Sequence, residues 1–364
     1  MNEEPLPPLR LLDMAQLASR EPPKRQWAVP GWIPLLQTTY LTGPGSAGKS
    51  LLSQQLCTCK ALGHSFLGIE LDAAPALYVT CEDDADELER RQKDICDAIG
   101  VSRSDLVGRL HLASLQGEIE NELVQFLSDG RMKLTPAYHR LERTCRETGA
   151  RLLVLDNVAH LTSEEIERAK VAAFMNAGNR LALSIGGSVL LLGHPNKLGQ
   201  EFSGSTAWEN QVRSRLYMAE PKADSDPDLK VLRRAKSNYA RKGEEIEFRW
   251  HRGAFVRSAD LPPDENRDLA HAAAAAEHNA RFLRCLAERT RQHRHVSEKP
   301  GANYAPTVFE GMSEAKGSTK KDMQAAMDRL FRLGRIDRAE LWRGPDRKPV
   351  FGLRETRETP SSAD

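Results

Sequence analysis

The sequence predicts an α/β fold on a mostly parallel sheet, with a small second domain toward the C-terminus. Three observations predict it. Between about Trp32 and Val256, β-type apolar runs alternate with amphipathic helical stretches, the pattern of strands joined through helices. Two of those runs, Leu152-Leu153-Val154-Leu155 and Val189-Leu190-Leu191-Leu192, are uninterrupted, as strands covered on both faces require. After about residue 275 the alternation gives way to a single helix-then-hairpin pattern.

A length of 364 residues suits two domains, and 40% hydrophobic with 28% charged residues is an ordinary globular balance. The formal net charge is +1, so any nucleic-acid surface must come from local clustering rather than bulk basicity. Six cysteines are scattered, and Cys57-Thr58-Cys59 is too tight for a metal or redox pair. Reduced thiols of a cytoplasmic protein are expected. The acidic, Pro-rich start Met1-Asn2-Glu3-Glu4-Pro5 is unlike a signal peptide. No run approaches the ~20 apolar residues of a membrane span, so no membrane partner is expected.

Along the chain, residues 1–30 read as an N-terminal arm in which Leu9, Leu11, Leu12, Met14 and Leu17 mark a short helix. Residues 31–258 form the α/β domain, with strands expected at Thr39–Thr42, Ala76–Thr80, Arg109–Ala113, Leu152–Leu155, Ser188–Gly193 and Arg215–Met218. Lys230–Ala235 and Glu245–Trp250 read as a hairpin turned at Ala240-Arg241-Lys242-Gly243. Residues 259–274, opening Ala259-Asp260-Leu261-Pro262-Pro263-Asp264, read as a linker. Residues 275–357 form the second domain. There Thr319 and Asp322 frame a capping box, Met323, Ala326, Met327, Leu330 and Leu333 recur at helical spacing, and Gly334 marks the stop. Strands Ile336–Trp342 and Pro349–Leu353 flank the turn Gly344-Pro345-Asp346. Helix followed by hairpin is similar to a winged helix. Residues 358–364 are expected to be a disordered tail.

Gly43-Pro44-Gly45-Ser46-Ala47-Gly48-Lys49-Ser50 is a complete phosphate-loop pattern. The strand end Tyr40-Leu41-Thr42 precedes it and a helix opening at Leu51 follows. Glycines let backbone N–H groups turn inward around phosphate at the positive end of a helix dipole. Lys49 then reaches the β- and γ-phosphates, and the Ser50 hydroxyl ligates Mg²⁺. Gly43 to Leu51 is therefore the candidate ATP-binding segment, with ATP and Mg²⁺ the expected cofactors. Asp156, closing the apolar strand Leu152–Leu155, is the second metal candidate, acting through the ion's water shell.

No Glu follows Asp156. The strand Leu77-Tyr78-Val79-Thr80 instead runs into Cys81-Glu82-Asp83-Asp84, a placement that resembles RecA-like and DnaB-like folds, in which the water-activating Glu ends that neighbouring strand. The resemblance implies Glu82 as the candidate general base. Asp83 and Asp84 read as acids that start a helix. At the end of Leu191-Leu192-Gly193, His194 is a candidate sensor of the γ-phosphate. The segment that follows, with Lys197, Ser203, Gly204 and Ser205, is polar and Gly-rich, suited to facing a ligand.

This order of parts resembles the RepA-type plasmid replicative helicases and related phage ATPases of the RecA/DnaB superfamily. It rests on Gly43–Ser50, Cys81-Glu82-Asp83, Leu155-Asp156, Gly193-His194-Pro195-Asn196-Lys197, Gly204-Ser205, Val212-Arg213 and Lys236-Ser237-Asn238-Tyr239. The resemblance implies a RecA-like P-loop NTPase core, and a ring, most often of six copies, with ATP between neighbours. It further implies that Arg213, or alternatively Arg215, acts in trans on a neighbour's γ-phosphate, and that Lys236, Tyr239 and Arg91 match family positions. Adenine as the base also comes from the resemblance alone. The chain departs from the plasmid helicases in having Gly193-His194 where they carry two histidines, and in its C-terminal domain.

That domain is basic around its helix and wing, with Lys320 and Lys321 at the helix start and Arg343, Arg347 and Lys348 near the turn. Such a placement suits duplex DNA. Three functions are therefore expected in competition. The first is an ATPase that drives a ring-forming DNA helicase along single-stranded DNA in replication. The second is an ATP-switched DNA-binding regulator or loading factor. The third is a RecA-like recombination or repair mediator.

Overall fold

The computed structural model describes residues 8–9, 11–162, 168–193, 211–219, 228–240, 243–261, 263–343 and 349–356. The chain divides into two compact units, Met1–Met218 with Arg233–Glu245 and Ala219–Leu232 with Ile246–Asp364.

In the first unit, helix α1 (Met14–Ala18) is capped by the Asp13 side chain. Leu9, Leu11 and Leu12, expected in that helix, precede it and are exposed. Strands β1 (Trp27–Val29) and β2 (Ile33–Pro34) pair antiparallel, with Ala28 and Val29 buried. Residues of the span read as an N-terminal arm are therefore already packed here. The main sheet comprises β3 (Thr38–Thr42), β4 (Ala76–Thr80), β5 (Leu110–Ser114), β8 (Leu152–Asp156), β9 (Ser188–Leu192) and β10 (Ser214–Ala219). A separate antiparallel pair, β6 (Val124–Phe126) and β7 (Met132–Leu134), is an excursion that the sequence pattern did not reveal.

The six strands run parallel in the order β10-β3-β9-β8-β4-β5. Strands β3, β4, β8 and β9 are buried along their whole length, which explains their unbroken apolar character. Helices α2 (Lys49–Leu62), α3 (Ala85–Ile99), α4 (Pro136–Thr148) and α5 (Arg168–Ser184) make the connections. Asp84 caps α3 by accepting from the Glu87 N–H, and Thr135 caps α4 ahead of Pro136 at its first turn. One core joins Leu77, Val79, Leu153 and Leu155 of the sheet to Tyr138 of α4 and Phe174 of α5.

Strand β11 (Leu229–Ser237) runs back toward β12 (Glu245–His251). The Arg234 N–H donates to the Glu244 carbonyl and the Trp250 N–H to the Asp228 carbonyl. The expected hairpin is therefore present, though residues 241–242 of its turn lie outside the described residues. The Arg234 side chain is fully buried, held by the Gly31 carbonyl, Glu244 and the Trp32 ring.

In the second unit, β13 (Ala254–Val256) pairs antiparallel with β12. Helix α6 (Pro263–Arg291) then occupies most of the stretch expected to be a linker. Pro263 opens this helix, since proline suits the first helical turn. Helices α7 (Ala305–Glu310) and α8 (Lys320–Arg332) follow, and α8 opens on the Thr319/Asp322 capping box. Strands β14 (Ile336–Arg343) and β15 (Pro349–Glu355) pair antiparallel, and the Leu353 N–H donates to the Val296 carbonyl. Phe282, Cys285, Phe309, Met323, Met327, Leu330, Ile336 and Leu353 share a separate core. The turn residues Gly344–Lys348 and the 358–364 tail lie outside the described residues. Among the described residues, no helix is long and apolar enough to cross a membrane.

Candidate active site

The loop Gly43–Ser50 leaves the carboxyl end of β3 and enters α2, near the middle of the sheet. A Cβ at Gly43 would lie 2.5 Å from the Met218 carbonyl oxygen of β10, so only glycine fits that close approach. Ser46 and Gly48 are left-handed, at φ 61° and 92°, and turn the chain sharply into the helix. Lys49, only 7% exposed, folds back so that Nζ donates to the Gly43 and Pro44 carbonyls, each at 2.8 Å. Burial pulls its pKa down, while the carboxylates of Asp156 and Glu82 oppose the shift.

Asp156 ends β8 and is buried. The Tyr78 hydroxyl donates to its Oδ2 at 2.7 Å, and the Ser50 hydroxyl also bonds to it. Burial pushes the Asp156 pKa up; those two hydrogen bonds pull it down, and Glu82 and Asp83 add to the rise. Lys49, Ser50 and Asp156 therefore converge.

Glu82 follows β4, the other neighbour of β8. Its Oε1 accepts from Asn157 Nδ2 at 2.5 Å and lies 3.5 Å from His160 Nε2. The Thr80 hydroxyl accepts from the N–H groups of Glu82 and Asp83, fixing the turn out of the strand. Asp83 pairs with Arg91 Nη2 at 2.9 Å, and Arg91 Nη1 donates to Gln54 of α2 at 3.3 Å. The sequence reading missed Tyr78, Asn157 and His160. The available signal was position: Asn157 adjoins Asp156, and Tyr78 shares a strand face with Thr80.

The donor set fits ATP with Mg²⁺. A hydroxyl and a carboxylate are hard oxygen ligands suited to that ion, and an ammonium beside a glycine-rich loop at a helix start suits phosphate. In that arrangement Ser50 and Asp156 would hold the metal, which would neutralise charge on the phosphates, while Lys49 would turn from the loop carbonyls toward them.

Other candidates lie elsewhere. His194, Lys197, Ser203, Gly204 and Ser205 fall outside the described residues. The preceding Gly193 is fixed by its N–H to the Leu41 carbonyl at 3.0 Å, on a strand between β3 and β8. Arg213 stands just before β10, whose Ser214 pairs with Thr39 and whose Tyr217 pairs with Thr42. It is thus at the amino end of the sheet, on the order of 15 Å of strand away from the phosphate loop. There it is exposed and lines a cavity of about 920 Å³ with Lys24, Arg25, Gln37, Asn176 and Asn179. None of the described residues lining that cavity is acidic. The Arg25 guanidinium lies 3.4 Å over the Tyr239 ring, whose hydroxyl accepts from Gln37 Nε2 at 3.0 Å. In the second unit the Lys320 N–H donates to Glu310, and its ammonium lies 5.7 Å from the Tyr304 ring centre. Lys321 is exposed on the same helix.

Comparison with known proteins adds one finding. No curated protein matches the chain in sequence. The family model of the AAA domain matches residues 3–200, more than half of the 364. The matched span takes in the phosphate loop, Glu82, Asp156 and the parallel sheet down to β9. The chain accordingly belongs to the AAA domain family and is a nucleotide-binding ATPase of the P-loop class.

Proposed function

We propose that the chain is a ring-forming, ATP-driven motor on single-stranded DNA, of the RepA replicative-helicase type, using Mg²⁺·ATP. One observation carries this reading. Lys49, Ser50, Asp156 and Glu82 gather at the carboxyl ends of the strands, whereas Arg213 stands at their amino ends in a cavity with no acid among its described lining residues. An arginine so far from its own nucleotide suits a contact made in trans, which couples hydrolysis to assembly. Glu82 acts as general base for the attacking water and Lys49 neutralises charge on the transferred phosphoryl group; a Mg²⁺ ion held by Ser50 and Asp156 would supply further positive charge there. His194 and the segment after it carry the nucleotide state to DNA at Lys197, Ser203, Gly204 and Ser205.

The test is steady-state ATP hydrolysis with and without single-stranded DNA, followed by strand separation on a forked duplex. DNA-stimulated hydrolysis with unwinding is the expected result. Hydrolysis indifferent to DNA overturns the motor.

A second reading, an ATP-switched DNA-binding regulator or loading factor, is favoured by the second unit. The order α6, Val296, α7, α8, β14, β15, with Val296 beside β15, supports a winged-helix-like module. Lys321, Gln324, Ala325, Asp328 and Arg332 are exposed along α8, a face suited to base edges and phosphates in duplex DNA. Tight, sequence-selective duplex binding without unwinding would favour this reading.

A further inference from the structure

The two acids of the site are each held from the neighbouring strand. Strands β4 and β8 run parallel, with Tyr78 opposite Val154 and Thr80 opposite Asp156. From β4, the fully buried Tyr78 sends its hydroxyl across to Asp156 Oδ2 at 2.7 Å. From the end of β8, Asn157 sends its amide back to Glu82 Oε1 at 2.5 Å. Each strand thus supplies one acid and the holder of the other.

The orientation of Asn157 is not arbitrary. Its Oδ1 accepts the Ala159 N–H at 2.9 Å, capping the short turn Val158–His160. With the oxygen committed there, the NH₂ end must face Glu82. Asn157 is buried, whereas the Glu82 side chain is 43% exposed. A carboxylate that open to solvent samples several rotamers unless something selects one. Asn157 Nδ2 bonds that carboxylate at Oε1, and His160 Nε2 lies 3.5 Å from the same oxygen.

We propose that Asn157 and Tyr78 are positioning residues forming a reciprocal brace, Asn157 aiming Glu82 at the attacking water and Tyr78 aiming Asp156 at the metal. The inference rests on the reading of Glu82 as general base. In the step it serves, a water oxygen bonds to the γ-phosphorus, the bond from that phosphorus to the β,γ-bridging oxygen breaks, and a water proton passes to Glu82. ADP and inorganic phosphate result. The Asn157 amide is turned to Glu82 and its oxygen to the Ala159 N–H, so its loss is expected to leave nucleotide affinity in place and slow the step.

The test compares Asn157→Ser, Asn157→Asp, Glu82→Gln and Tyr78→Phe in the full chain. Serine retains an oxygen for the cap but is too short to reach Glu82. Aspartate keeps the shape and the cap while replacing the donor with an acceptor. Asn157→Ser is expected to lower kcat about 10–100-fold, the usual cost of losing an outer partner of a reactive group, with KM within about threefold. Asn157→Asp is expected to fall further, because a second carboxylate then faces Glu82. Added to Glu82→Gln, Asn157→Ser should cost nothing more, since the two act as one unit. For Tyr78→Phe the readout is binding of a fluorescent ATP analogue against Mg²⁺ concentration. The half-saturating Mg²⁺ should rise about tenfold, with metal-free binding unchanged.

Wild-type kcat in Asn157→Ser beside an inactive Glu82→Gln overturns the Glu82 half of the brace alone. Wild-type turnover in Glu82→Gln overturns the base assignment beneath it, and that half of the brace with it. An unshifted Mg²⁺ curve in Tyr78→Phe overturns the other half. If Asn157→Ser melts below the assay temperature, Asn157→Asp carries the same comparison.

Discussion

The two ends of the parallel sheet are built on opposite plans. At the carboxyl end Lys49, Asp156, Tyr78 and Asn157 are buried and bonded to one another or to Glu82 and the loop. At the amino end Lys24, Arg25 and Arg213 stand exposed around a cavity walled by carboxamides. The first end is satisfied within one chain. The second gathers positive charge with no acid among the described lining residues. Desolvated ions need partners, and exposed cations cost little until one arrives. The difference is between an end whose charges are buried and bonded and an end whose cations are exposed, which is what the proposed contact in trans requires.

That comparison is broken most directly by disabling each end and mixing the products. Lys49→Ala and Arg213→Ala are each expected to lower turnover by about 10³-fold, the scale of losing a charged group from a phosphoryl-transfer site. A mixture of the two variants should regain part of the wild-type rate, because some shared sites then combine an intact loop with an intact arginine. No regain at concentrations where wild type is active would sink the shared site.

A smaller effect is expected at the cavity wall. Arg25→Ala removes a cation and the stacking on Tyr239. Turnover should fall about tenfold, the scale of one lost 1–2 kcal/mol contact, with nucleotide binding at the far end unchanged. A matching loss of nucleotide affinity would show that the two ends are not separable.

The smallest effect concerns stability. Burial raises the Asp156 pKa above its ordinary 3.8, so holding the charged form in the folded chain costs free energy. Below the ordinary value the carboxyl is protonated whether folded or unfolded, and nothing is lost. As pH rises through the raised folded value, the penalty appears in full. Asp156→Asn should therefore melt above wild type near pH 7, without nucleotide or metal. The gap should close toward pH 4, and Mg²⁺-dependent hydrolysis should be lost. A variant that melts lower at pH 7 would mean that the hydrogen bonds from Ser50 and Tyr78 outweigh burial.

Much of the parallel sheet was legible because its strands are either unbroken apolar runs, as in β8 and β9, or end in marked residues, as in β3 and β4. What stayed hidden was short or mixed. Strands β1, β2, β6 and β7 have two or three residues each, too few for any period to show. Helix α6 was hidden by Pro262-Pro263, a pair that suits a loop as well as a helix start. At the site, Lys49, Ser50, Asp156 and Glu82 stood out because loop pattern and strand ends mark them. Tyr78 and Asn157 did not, because one looks like core and the other like a turn. Their roles depend on which strands are neighbours, and strand order is a property of the whole sheet.

That strand order also sets a timetable for synthesis. Strands β3 and β4 are consecutive in the chain but separated in the sheet by β9 and β8, and Gly43 packs on Met218 of β10. Gly43 is synthesised well before Met218, the residue that walls it. At ordinary elongation rates the gap between Ser50 and Met218 is roughly 10–30 s. Throughout that interval the nascent loop has no closed cradle, so ATP cannot assist the early stages of folding. A nucleotide that needs the closed cradle is therefore expected to bind late, onto a finished sheet.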